Sequence, residues 1–132
     1  MGLDLKRFAT DKNAEIEGVW VKLDEGVELK IARMGNEKFN ELFRKYSRPY
    51  KRAIRNGTLS DSIAEDILLK CMSEAILLDW KGLEEDGVPL EYTKENAYRV
   101  LKEYEVLRDF VTSCAEDFEL FKKQEDEEAE KN

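Results

Sequence analysis

Two segments of opposite charge contain the residues whose types and spacing could support chemistry. The segment RKYSRPYKRAIR, residues 44–55, has six cations, two tyrosines and no acid. Clustered Arg and Lys side chains beside aromatic rings can bind phosphate groups. The segment 79–91 has five acids and one Lys, and carboxylates can act as general acids and bases or bind calcium.

Residue types and spacing argue against catalysis. The chain has no histidine, which removes Ser–His and Cys–His nucleophilic pairs and the commonest transition-metal ligand. Neither GxGxxG nor GxxxxGK[ST] occurs, so the usual phosphate-binding loops are absent. A calcium loop starting at Asp79 would place Lys81 and Leu83 at ligand positions. We therefore predict no enzyme activity and no catalytic, cofactor-binding or metal-binding residue.

The charged segments instead indicate binding to a partner. Their opposite charges could meet head to tail between copies of the chain, and such contacts generate rings if they close and spirals if they do not. The candidate contact residues are Arg44, Arg48, Lys51, Arg52, Arg55, Glu84, Glu85 and Asp86. Two alternatives stay open for the cations: nucleic acid binding, and ordinary solvated helix positions whose stems cover apolar surface.

A β-hairpin is predicted before the basic segment, because apolar residues alternate on both sides of Asp24-Glu25-Gly26. The predicted pairs across a three-residue loop are Val19–Ile31, Val21–Leu29 and Leu23–Val27. Trp20 lies on the opposite face, so it either packs under another element or supplies an exposed partner contact. A lone hairpin is marginal in water, so its apolar face should pack on helices.

Helical spacing of apolar residues follows the hairpin. Asn36 can cap a first helix, which Pro49 breaks, and a second runs from Tyr50 to Arg55 and ends at Asn56-Gly57. The central helix is predicted over residues 59–80, with Ser62 and Glu65 at capping-box spacing. Thr93 can cap the next helix, and a last helix extends to Phe121.

The connector after the central helix is predicted to be a shaped corner. Trp80 closes the helix, Gly82 provides a left-handed stop, and Asp86-Gly87 turns the chain before Pro89. Trp80 is either a core anchor or a partner contact. The predicted fold is α+β, mainly α, with an N-terminal β-hairpin packed on a bundle of four to five helices.

The length of 132 residues fits one domain. We predict a globular domain over residues 1–123, including a polar leader over about 1–15, and an acidic disordered tail, QEDEEAEKN, over 124–132. Cys71 and Cys114 lie in apolar helical patterns and are expected to be buried free thiols. No hydrophobic targeting region or membrane-length apolar stretch is found, so we expect a cytoplasmic protein.

The order of these features resembles that of the tail assembly chaperones of long-tailed bacteriophages. The similarity covers residues 18–121 and is most specific in the element DWKGL...DGVPLEYTKENA. The other matching segments are GVWVKL, IARMGNEKFNELF, RPYKRAIRNGTLS and LRDFVTSCAEDFELF.

The resemblance implies a mainly helical, non-enzymatic protein that forms homo-oligomers, described for that family as spirals. Such assemblies coat the aggregation-prone tape measure protein in the host cytoplasm until tail tube subunits replace them, and are expected to be absent from the mature virion. In many relatives a programmed frameshift adds a domain that recruits tail tube protein, and this chain would match the short form. The alternatives are a phage-encoded nucleic-acid-associated or regulatory protein using Arg44 to Arg55, and a structural component of the virion.

Overall fold

The described part of the chain, residues 2–124 of a computed structural model, combines a small antiparallel sheet with a set of helices. The strands are β1 (Val19–Asp24), β2 (Val27–Ile31), β3 (Leu77–Lys81), β4 (Glu84–Glu85) and β5 (Val88–Pro89). The α-helices are α1 (Lys12–Glu17), α2 (Glu37–Ser47), α3 (Lys51–Asn56), α4 (Asp61–Ala75), α5 (Lys94–Glu103), α6 (Glu105–Ala115) and α7 (Phe118–Phe121). Short 3-10 helices occupy Leu5–Phe8 and Arg48–Tyr50. The predicted class, α+β and mainly α with an N-terminal hairpin, is confirmed.

The hairpin forms with most of its predicted register. Val19 pairs with Ile31 and Val21 pairs with Leu29, as expected. The third predicted pair is wrong, because Asp24 rather than Leu23 pairs with Val27. The turn therefore has two residues instead of three, and a register shift before Asp24 absorbs the extra residue as a bulge. Gly26 in the turn has a positive φ of 71°, which glycine adopts without a steric penalty.

A third strand replaces the end of the predicted central helix. Helix α4 ends at Ala75, and β3 pairs antiparallel with β2, placing Trp80 opposite Leu29. The prediction that Trp80 closes a helix is therefore wrong, and Gly82, with φ of 80°, follows a strand. The physical reason is the second edge of β2. An apolar run suits a strand as well as a helix, and pairing with β3 provides hydrogen-bond partners for β2 backbone groups that a longer helix would leave unpaired.

Several helix ends lie where the sequence predicts them. Asn36 accepts a hydrogen bond from the Phe39 amide, and Thr93 accepts one from the Asn96 amide. Gly57, in the left-handed conformation, ends α3. The capping box is wrong by two residues, because Ser60 rather than Ser62 accepts from the Ile63 amide. Each helix end thus satisfies part of the backbone that the helix itself cannot.

The core lies between α4 and the elements packed around it, α2, α5 and the β1-β2-β3 sheet. Its largest fully buried side chains include Leu29, Leu69, Met72, Leu101 and Phe121. Cys71 is a buried free thiol as predicted, whereas Cys114 is half-buried. Leu68 of α4 is exposed.

The predicted polar leader, about residues 1–15, includes the first 3-10 helix and the start of α1 in its described part. It is attached to the C-terminal end of the described chain by a bridge between Thr10 and Lys122. The predicted acidic tail begins at Gln124, and residues 125–132 lie outside the described residues. Among residues 2–124, no helix is both long and apolar enough to cross a membrane.

Candidate interaction surfaces

An open apolar groove lies where the β4–β5 hairpin faces the junction of α5 and α6. Its volume is about 580 Å³. Acidic residues of the connector stand on one side, and the bulge of β1 contributes Leu23. The lining residues are Leu23, Leu83, Glu84, Glu85, Asp86, Leu90, Val100, Tyr104, Val106, Leu107 and Phe110.

The wall of this groove is built by the Asp86-Gly87 turn that the sequence predicts. Both residues have positive φ, 53° and 78°, which is the conformation a two-residue hairpin turn requires. The turn pairs Glu84 with Pro89 and Glu85 with Val88. The acidic connector is therefore a small hairpin that stands beside the α5–α6 junction.

Trp80 holds the base of this hairpin. Its side chain is only 6% exposed, and its indole N–H donates to the Leu90 carbonyl oxygen at 2.8 Å. The ring meets Tyr92 edge to face with centroids 5.0 Å apart. Tyr92 in turn donates its hydroxyl to the Leu77 carbonyl oxygen at 2.6 Å. Of its two predicted roles, this geometry is that of a core anchor.

The three acids predicted as contact residues differ in their surroundings. The Glu85 carboxylate accepts two hydrogen bonds of 3.0 Å from Arg99 and one of 2.6 Å from the Tyr104 hydroxyl. These bonds, first Arg99 and then Tyr104, hold the pKa of Glu85 below its ordinary value. Within residues 2–124, Glu84 and Asp86 form no ion pair. Two uncompensated acids therefore stand on the rim of the groove.

The basic segment lies on α2, the second 3-10 helix and α3. Its five candidate cations are all exposed, and within the described part of the chain none of them forms an ion pair: Arg44, Arg48, Lys51, Arg52 and Arg55. Phe43 and Ile54 are exposed among them. Among residues 2–124, no ion pair joins the basic segment to the acidic hairpin of the same copy. Both charged surfaces can therefore contact a partner.

Trp20 lies on β1, an edge strand of the three-stranded sheet. Its side chain is 38% exposed, and the Lys81 ammonium sits 4.2 Å from the centre of its ring. The ring is thus neither packed under another element nor bare. A cation over an aromatic face is an attractive contact that reduces the apolar surface offered to water.

An apolar N-terminal arm, residues 2–8, is a surface that the sequence prediction missed. Leu5 is 81% exposed, and Leu3 and Phe8 are also exposed. The arm is held at its C-terminal end, where Phe8 contacts Phe118 with ring centroids 6.4 Å apart and Lys123 donates its amide to the Ala9 carbonyl oxygen. The sequence does contain a signal for it, because three large apolar residues, Leu3, Leu5 and Phe8, lie within the predicted polar leader.

A family model described as YdaY prophage protein matches residues 34–132, about three quarters of the chain. The chain belongs to the YdaY prophage protein family. It is therefore a phage-derived protein, in agreement with the phage origin expected from the sequence. No curated protein and no solved structure matches the chain.

The YdaY family match includes most of the groove and the whole basic segment. It starts after the β1–β2 hairpin, so the N-terminal arm, Trp20 and Leu23 lie outside it. Within residues 2–124, no group of three or more His, Cys, Asp or Glu side chains is placed to hold a metal ion. Burial raises the pKa of the Cys71 thiol to about 11, which keeps it protonated and a poor nucleophile at neutral pH.

Proposed function

We propose that this YdaY family member is a tail assembly chaperone. It self-associates in the host cytoplasm, binds the tape measure protein and keeps it soluble until the tail tube polymerises. The observation that carries the proposal is the open apolar groove beside the acidic hairpin, because large exposed apolar surfaces rimmed by polar residues mark sites of protein interaction. The phage-derived family supports it as well.

The physical demands on such a chaperone match these features. A protein that binds an unassembled client stabilises the soluble form by mass action, and this needs contact surface rather than an active site. It must itself stay soluble, which a net charge of −8 favours. Apolar surface at the groove and the arm, together with that charge, fits this requirement.

Self-association is part of the proposal. Within one copy, no ion pair of residues 2–124 joins the acidic hairpin to the basic segment, so the hairpin can contact an unlike surface of a neighbouring copy. A contact between unlike surfaces of two copies is heterologous, so repetition produces a ring or an open spiral.

Co-expression with the tape measure protein of the same phage tests the function. The chaperone should render that client soluble and co-purify with it in many copies, while co-expression with an unrelated helical protein of similar length should give neither effect. A client that stays insoluble, with this protein eluting alone as a monomer, would contradict the proposal. Purified virions supply an independent measurement, because a chaperone should be absent from them and a structural component should be present.

Nucleic acid binding is a second candidate, favoured by the five exposed cations of the basic segment, which pair with no acid of residues 2–124. Its mark is an affinity for DNA or RNA that falls steeply with salt, because phosphate contacts release counterions. Charge reversal at Arg48 and Arg52 should then abolish binding. Absence of salt-sensitive binding by the wild-type protein would remove this candidate.

A further inference from the structure

We propose that the groove binds the N-terminal arm of a second copy, so that copies associate head to tail. The inference rests on the self-association in the proposed function and names its contact. The occupant is the apolar and basic segment of residues 2–8.

The groove is complementary to a short apolar segment with adjacent positive charge. Val106 is 85% exposed at its edge, and the interior is lined by leucines and Phe110. Glu85 is already bonded to Arg99, whereas Glu84 and Asp86 pair with no cation of residues 2–124. The free charge on the rim is therefore negative, beside an apolar floor.

The arm has the complementary composition. Leu3, Leu5 and Phe8 supply large exposed apolar side chains. Lys6 and Arg7 lie between Leu5 and Phe8, and neither forms an ion pair with another residue of the described chain. Burying a single Leu side chain contributes about 1.5–3 kcal/mol to binding before association costs. Opposite charges at the rim then favour the correct orientation and faster association.

The places of arm and groove favour a contact between copies. Val106, Leu107 and Phe110, in the first half of α6, line the groove. The arm is attached beyond the C-terminal end of α6, where Phe8 contacts Phe118. An 11-residue helix is about 16 Å long. The arm is also fixed at Ala9 and capped at Asp4, whose carboxylate accepts from the Lys6 amide. A neighbouring copy can bring its arm to the groove without undoing these contacts.

The basic segment is the competing complement for the acidic rim. Its apolar side chains, Phe43 and Ile54, are each about half as exposed as Leu5. They also stand on separate helices, whereas the three apolar residues of the arm occur within six residues of sequence. The arm therefore matches one small groove better than the basic segment does.

Sedimentation velocity on the full chain, at rising concentration, tests the contact. Two variants each remove one side of it: Leu5→Glu in the arm and Val106→Glu in the groove. Val88→Glu is the matched control, because Val88 is 64% exposed on the β4–β5 hairpin beside the groove but does not line the groove. All three side chains are exposed, so the fold should be kept, and circular dichroism checks this.

We expect wild type and Val88→Glu to grow beyond the 15.4 kDa monomer. Leu5→Glu and Val106→Glu should each associate at least about tenfold more weakly, because each removes apolar contact and adds a further negative charge at the acidic rim. An equimolar mixture of the two should form a species of twice the monomer mass and nothing larger, since one variant keeps an intact groove and the other an intact arm.

Each other outcome overturns the proposal. A monomeric wild type, unchanged association of either variant, or a mixture that stays monomeric would show that arm and groove do not meet. Loss of association on charge reversal of Arg48 and Arg52, with Leu5→Glu unaffected, would assign the contact to the basic segment. Client solubilisation is measured separately with the same variants: a soluble client beside unchanged association refutes the arm contact alone, and an insoluble client with wild type refutes the chaperone function.

Discussion

The Tyr92 hydroxyl is expected to be one of the main polar supports of the core. It donates to the Leu77 carbonyl oxygen at 2.6 Å, and Leu77 is fully buried. Burial and the nearby Asp79 charge raise the pKa of Tyr92 to about 12, so the hydroxyl remains a donor at all ordinary pH values. In Tyr92→Phe this carbonyl loses its donor while the ring keeps its contact with Trp80.

Leaving a buried acceptor unsatisfied costs about 1–3 kcal/mol. With a loss of about 2 kcal/mol and a urea dependence of about 2 kcal/mol per molar, the unfolding midpoint should fall by about 1 M. Urea titration followed by tryptophan fluorescence measures this, with an unchanged slope. Tyr104→Phe is the matched control, since that hydroxyl is exposed and bonded to Glu85; its midpoint should change little. Equal midpoints for the two variants would refute the reasoning.

Three further predictions follow from single contacts. In urea titrations, Gly82→Ala should lower the free energy of unfolding by about 1–3 kcal/mol more than Gly87→Ala does. Both residues have positive φ, but only at Gly82 would a Cβ lie 2.2 Å from the Gly26 carbonyl oxygen. Equal losses of stability in the two variants would contradict this. Burial, and then the charge of Glu74, raise the pKa of Cys71 to about 11, so this thiol should react with iodoacetamide at pH 8 only after urea is added. Alkylation of Cys71 in the folded protein, detected by mass spectrometry, would contradict this. Glu85 has a lowered pKa in the folded state, so its contribution to the free energy of unfolding is present above the ordinary value of 4.5 and is lost as the pH falls below it. Glu85→Gln should therefore reduce the loss of stability that the protein shows on acidification. An unchanged loss would show that the bonds of Glu85 do not contribute.

Local sequence signals predict the elements whose cause is local. Alternating Val and Leu residues specify the Val19–Ile31 and Val21–Leu29 pairs, because one face of the hairpin must be apolar throughout. Asn36 and Thr93 cap helices through their own side chains, and Asp86-Gly87 tolerates the positive φ of its turn. Each of these depends on at most a few neighbouring residues.

Strand β3 depends on a partner far away in sequence. Residues 77–80 continue the apolar spacing of α4, and the choice of strand over helix is made by pairing with β2, about 50 residues earlier. The bond between Glu85 and Arg99 is hidden for the same reason, so three adjacent acids looked equivalent in the sequence. The apolar side of the groove also comes from separate segments, and it exists only once β1, the hairpin and α6 meet.

The anchoring of the acidic hairpin at its base has a consequence for how such proteins diversify. Trp80 and Leu90 join its two ends through one hydrogen bond, whereas Asp86, Gly87 and Val88 at its tip are exposed. Substitution of Asp86, the tip residue that lines the groove, can therefore change the charge and shape of the groove at little cost to the core, provided that the turn keeps its positive φ angles. Under the proposed function, the hairpin would separate selection for partner choice from selection for stability, so a change of client or of neighbouring subunit would not require compensating core mutations.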